Sequence, residues 1–294
     1  MPRIVSFLPA ATEIACAIGA GDDLVGRSHE CDYPPEVLKL PVVSKPALDI
    51  DSMSQSEIDH SVSQQLSSGE SLYRVDEVLL RELAPSVVFT QDLCQVCAPS
   101  GTELTRALRE LPSKPEVHWL TPRDIAGIES NIKEIGAATG HGTEAAELIA
   151  NNRRRIEAVQ SAVAAVPIRR IAFLEWTDPY FCAGHWVPEM ISLAGGHDPL
   201  GQPGGDSQRV TWDAVAAGSP EMIIVAPCGY NLEQSIAAAK SIPSLPGARV
   251  IAVDANAYFA RPGARVAEGI ELLAHLFHGD AVKWSYAGQP WSEI

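Results

Sequence analysis

Cys94 and Cys97 form the pair whose type and spacing carry the most reactive chemistry in the chain. Two thiolates at C-x-x-C spacing can chelate one soft metal ion or close a small disulfide ring. Tetrahedral zinc takes four ligands, and the sequence offers no second C-x-x-C and no H-x-x-x-H. Cys31 and Cys228 could complete a set only if folding brings them close. Cys16 falls in the apolar stripe of the first helix and belongs to the core. A thiolate site for a soft metal, centred on Cys94 and Cys97, is therefore one expectation. An enzyme using cleft thiols on a cofactor or small substrate is another.

A second set suits a large flat ligand. Trp176, Trp186, Tyr258 and Phe259 can supply ring faces and edges for stacking and apolar contact. Tyr33, Gln91, Asn256 and Arg261 lie in the same loops and complete the candidate ligand contacts. No G-x-S-x-G elbow, P-loop or G-x-G-x-x-G after a strand is present, so no catalytic residue is assigned.

These residues fall on loops that follow strand-like runs, the positions where α/β sheets present ligand contacts. Apolar runs of strand length alternate with helical patterns through both halves, which predicts parallel α/β layers. Strands are expected at Arg3–Leu8, Asp23–Arg27, Leu40–Ser44, Ser86–Thr90 and Val117–Leu120. In the second half they are expected at Arg170–Trp176, Met222–Ala226 and Val250–Val253. The Ser/Gln-rich stretch from Ile50 to Gly69 reads as a loop with a weak helix. Gly140-His141-Gly142-Thr143 punctuates the chain, and from there to Val166 one long helix is expected, ended by Pro167. The fold class is α/β: two Rossmann-like lobes (1–140 and 168–294) joined by one long helix (141–167), with the ligand in a cleft between lobes.

At 294 residues the chain can form two sizeable cores. Its 46% hydrophobic and 6% aromatic content is that of an ordinary globular protein, and no apolar run nears the length needed to cross a membrane. A net charge of −15 argues against nucleic acid as a partner. Six cysteines in a chain this long do not describe a disulfide scaffold.

Several motifs recur in an order that resembles a known family. They are Ser6-x-x-Pro9-Ala10-x-Thr12-Glu13, Val25-Gly26, Asp32-Tyr33-Pro34-Pro35, Ala84-Pro85 and Ala194-Gly195-Gly196. Two more follow: Gly218-Ser219-Pro220-Glu221, and Tyr258-Phe259-x-Arg261-Pro262-x-x-Arg265. The chain resembles the cobalamin- and iron-complex-binding proteins that serve ABC importers, with the cobalamin binders the nearest match. That resemblance implies a small-molecule ligand, cobalamin or another corrinoid. By position it puts Trp176 and the Asn256–Phe259 loop where relatives touch it.

The chain departs from this pattern at His29-Glu30-Cys31, at Gln91 with the cysteine pair, and at Leu48-Asp49-Ile50-Asp51. There relatives offer a Glu that docks on the transporter, so transporter docking is doubtful. With no basic segment and no apolar segment before the first strand, the expectation is a cytosolic binding protein. The alternative is a periplasmic one whose signal peptide has been removed.

Overall fold

The computed structural model describes residues 1–68, 70–91 and 102–294. Cys94 and Cys97, the expected thiolate pair, lie outside the described residues. The chain divides into two compact units, Met1–Pro122 with Glu129–Ile149, and Arg123–Ile128 with Ala150–Ile294. Each is an α/β unit with its own sheet.

The first unit begins β1 (Ile4–Ser6), α1 (Pro9–Ala17), β2 (Leu24–Ser28), β3 (Val42–Pro46) and α2 (Gln55–Ser68). It continues with β4 (Tyr73–Val75), α3 (Glu77–Leu83), β5 (Val87–Thr90), α4 (Thr102–Arg109) and β6 (Glu116–Trp119). Then come α5 (Ile125–Thr139), whose start to Ile128 belongs to the second unit, and α6 (Gly142–Val163), inside which the chain passes to the second unit between Ile149 and Ala150. The strand order is β4-β3-β2-β1-β5-β6, parallel except for the β3–β4 pair. β5 is buried at all four positions, as an apolar run between two helical layers should be. Val5, Phe7, Val43, Leu80, Val88 and Leu104 form the heart of this core.

The second unit contains β7 (Arg169–Thr177), β8 (Tyr180–Cys182), α7 (Val187–Leu193), β9 (Gly196–His197) and α8 (Trp212–Ala217). It ends with β10 (Met222–Val225), α9 (Leu232–Ala239), β11 (Arg249–Val253), α10 (Ala255–Tyr258), α11 (Val266–His278) and β12 (Trp291–Glu293). The order is β12-β11-β10-β7-β8, with β9 also on β7. β7, β10 and β11 run parallel, whereas β8 and β12 are antiparallel edges. Gly195 has φ +82°, the left-handed turn expected where the Ala194-Gly195-Gly196 motif leaves α7.

Candidate functional site

In each unit the strand order reverses at one strand, and open parallel sheets present ligands with loops at the carboxyl ends near such a point. In the first unit this places the loops after β1, β2 and β5 together. In the second it places the loops after β7, β10 and β11 on three adjacent strands.

The S-x-x-P-A-x-T-E motif builds the turn after β1. The Ser6 hydroxyl donates to the Leu8 carbonyl at 2.9 Å, and Thr12 donates to the same carbonyl at 3.1 Å. Pro9 opens α1, where a missing N–H costs nothing. The Thr12 hydroxyl also lies 3.0 Å from Cys31 Sγ, and Cys31 is fully enclosed. The Arg27 guanidinium donates to the carbonyls of Ser28 and Cys31, each at 3.0 Å. Cys31, expected at a ligand-facing surface, is thus held inside the first unit by the turns around it. Tyr33 follows on the surface, 44% exposed, and Gln91 is buried directly after β5. His29 sits between the Ser44 carbonyl, 3.1 Å from Nδ1, and Glu30, 3.1 Å from Nε2.

The second unit assembles a more continuous set. Trp176, at the end of β7, lies against Tyr230 with centroids 5.4 Å apart and planes inclined by 60°. Tyr230 belongs to the loop after β10, and its carbonyl accepts the Asn256 N–H at 2.9 Å. Asn256 Oδ1 in turn accepts Arg261 Nη2 at 3.0 Å. Asp254 caps α10 by accepting the Ala257 N–H at 2.9 Å, which fixes the backbone that carries Asn256 and Tyr258. The Arg265 guanidinium stands 5.8 Å from the centre of the Tyr258 ring. Two rings, one amide and one guanidinium are therefore linked across the ends of three parallel strands. Arg261 is itself buried and holds Asn256 in place, so the half-buried rings and the Asn256 amide are what can stack on a flat apolar body and hydrogen-bond its rim.

Other expected contacts lie elsewhere. Trp186 and Phe259, expected to face a ligand, are instead enclosed in the second unit. The Trp186 indole donates to the Phe259 carbonyl at 3.0 Å, and Phe259 meets Phe173 edge-on at 5.3 Å. An indole N–H satisfied by a backbone carbonyl lets the ring be buried. Cys228 is exposed in the β10 loop, its N–H bound to the Glu175 carbonyl at 3.1 Å. Among the described residues, no group of three or more His, Cys, Asp and Glu is placed to hold a metal ion. The expected metal site thus has no support in the described residues.

Tyr230, two residues after Cys228, is not among the contacts the sequence predicts. Only the register of β10 beside β7 shows that its ring reaches Trp176.

Among curated proteins, the vitamin B12-binding protein of Vibrio cholerae serotype O1 is 25% identical over 226 residues, covering 75% of this chain and 69% of its own. The vitamin B12-binding protein of Yersinia pestis is 24% identical, covering 76% and 69%. The fold is shared with a periplasmic heme binding protein from Pseudomonas aeruginosa, at TM-score 0.72, 18% identity and coverage of 100% and 98%. It is also shared with the periplasmic vitamin B12 binding protein BtuF of Vibrio cholerae, at TM-score 0.63, 20% identity and coverage of 94% and 96%. The family model of the periplasmic binding proteins matches residues 4–243. With two α/β units and ligand-type side chains on their strand ends, the chain belongs to the periplasmic binding protein family.

Proposed function

We propose that the protein captures a corrinoid of the cobalamin type for an importer. The observation that carries this reading is the Trp176–Tyr230 ring pair joined through Asn256 to Arg261 on adjacent strand ends. A corrinoid offers a broad macrocycle edged with amides, which matches rings for the body and the Asn256 amide, held by buried Arg261, for the rim. The vitamin B12-binding relatives, similar over three quarters of the chain, support the same ligand class. Heme-binding proteins share the fold, so a flat tetrapyrrole rimmed by carboxylates is the competing ligand.

The family is one of binding proteins, and this favours a carrier over a thiol enzyme. Its periplasmic character supports the periplasmic alternative, and the cytosolic expectation gains nothing from the relatives. Doubt about transporter docking also finds no support, since an ABC transporter substrate-binding protein shares the fold. Equilibrium dialysis against cyanocobalamin and, separately, hemin tests the reading. Saturable retention of cyanocobalamin at one per chain supports it, and retention of hemin alone overturns the corrinoid assignment.

A further inference from the structure

The segment after α11 and the Asp254–Arg261 loop both lie beyond residues 4–243 that the family model matches, and the segment is built onto that loop. β12 pairs with β11, placing Trp291 opposite Val253 at the strand's carboxyl end. One residue further, the Asp254 N–H donates to the Pro290 carbonyl at 2.9 Å. Asp254 is also the cap of α10, so the tail holds the residue that starts the helix.

The side chains repeat this connection. Trp284 meets Tyr258 edge-on, with centroids 5.9 Å apart and planes at 77°. It also meets Trp291 edge-on at 5.9 Å, and Trp291 lies 5.1 Å from the His275 ring on α11. The Trp284 indole donates to the Gly288 carbonyl at 3.0 Å, which closes the turn between Trp284 and Trp291. Gly288 has φ +81°, a conformation that favours glycine. Within that turn, Tyr286 donates to Glu271 at 2.5 Å, anchoring the segment to α11.

We infer that the C-terminal segment, Asp280–Ile294, is a strap that positions the Asp254–Arg261 loop for ligand, with Trp284 as its main positioning residue. Trp284 touches the loop through Tyr258 and is placed to act through it rather than on the ligand. A short helix of four residues has little intrinsic stability, so its geometry must come from neighbours. The strap supplies both a backbone bond at the cap and a ring contact at the last helical residue. Its effect on ligand affinity rests on the corrinoid reading, whereas its effect on the loop does not.

The test compares wild type, Trp284→Ala and Trp284→Phe by amide hydrogen exchange without ligand and by cyanocobalamin dialysis. Trp284→Ala is expected to speed exchange across Asp254–Arg261 roughly threefold to tenfold and leave β7 and β10 protected as in wild type. Cyanocobalamin affinity should fall by a similar factor, and Trp284→Phe should recover most of both losses. Unchanged exchange in the loop overturns the strap, whatever the ligand. Faster exchange with wild-type affinity overturns the positioning role. If wild type retains no cyanocobalamin, the corrinoid reading fails, and the exchange comparison alone decides the strap.

Discussion

At the residue scale, the proposed contacts divide by how they are held. Trp176 and Tyr230 are half-buried rings facing each other, so removing either removes stacking surface without opening the core. Trp176→Ala and Tyr230→Ala should each weaken cyanocobalamin binding by roughly threefold to tenfold, the scale of one aromatic pair. Dialysis checks this, and wild-type affinity in both variants would remove the pair from the site. The cysteines sort by the same logic. Burial, with the charge of Glu13 and other nearby acids, pushes the Cys16 thiol up to about 11. Burial also raises Cys182. Since the thiolate is the nucleophile, iodoacetamide at pH 8 should modify exposed Cys228 well before Cys16, Cys31 and Cys182. Peptide mass mapping reads the order. The sequence points to Trp176, Asn256 and Arg261 as expected contacts because each lies at or after the carboxyl end of an apolar strand. It could not separate enclosed Trp186, Phe259, Arg261 and Cys31 from accessible loop residues, since enclosure depends on partners distant in the chain.

At the element scale, regular apolar runs were readable and polar or short ones were not. α5 spans Ile125–Thr139, with Ile128, Ile132, Ile135 and Thr139 buried at helical spacing. α2 was expected only as a weak helix, yet it runs for 14 residues with none buried. Its missed signal is the Ser54-x-x-Glu57 capping box. There the Ser54 N–H donates to the Glu57 carboxylate at 2.8 Å, and Ser54 Oγ accepts the Glu57 N–H at 3.3 Å. β4 and β12 have three residues each and carry no alternation long enough to read, so only pairing reveals them. Packing of α11 makes a sharper prediction. A Cβ on Gly269 would stand 2.5 Å from Met190 Cε and 2.6 Å from the Tyr258 carbonyl oxygen. Gly269→Ala should therefore cost about 1–3 kcal/mol in denaturant unfolding and also weaken ligand binding by shifting α10. An alanine variant as stable as wild type would contradict this packing.

α11 also carries an ionic anchor. Arg155 on α6 donates to both Glu271 oxygens, at 2.9 and 2.8 Å, and its guanidinium also lies against the Tyr286 hydroxyl. Burial pushes the Glu271 carboxyl up, but the hydrogen bonds from Arg155 and Tyr286 outweigh it and hold the group below its ordinary range. A carboxyl depressed in the folded state adds stability above its unfolded pKa, and that stability is lost as pH falls through the folded value. Glu271→Gln should thus destabilise by about 1–2 kcal/mol at pH 7. The gap from wild type should close as pH falls below the usual carboxylate range. Urea midpoints across pH measure it, and a gap constant with pH would assign the loss to packing instead.

At the scale of the whole molecule, the two α/β units and the family were legible from the order of short motifs rather than from any one of them. The physical roles of those motifs explain why. Ser6 and Thr12 close the turn after β1, and Gly195 takes the left-handed turn after α7, so each motif fixes a junction between elements. Ligand identity is carried by side chains on loops, which the fold leaves free to vary. The strand-end set in the second unit, two rings with an amide held by the buried Arg261, therefore carries the functional claim. Titration of the purified protein with cyanocobalamin, followed by visible absorbance and dialysis, tests that claim most directly. A saturable spectral change and retention of one cyanocobalamin per chain are expected, both weakened by Trp176→Ala. An unchanged spectrum with no retained cyanocobalamin would contradict it.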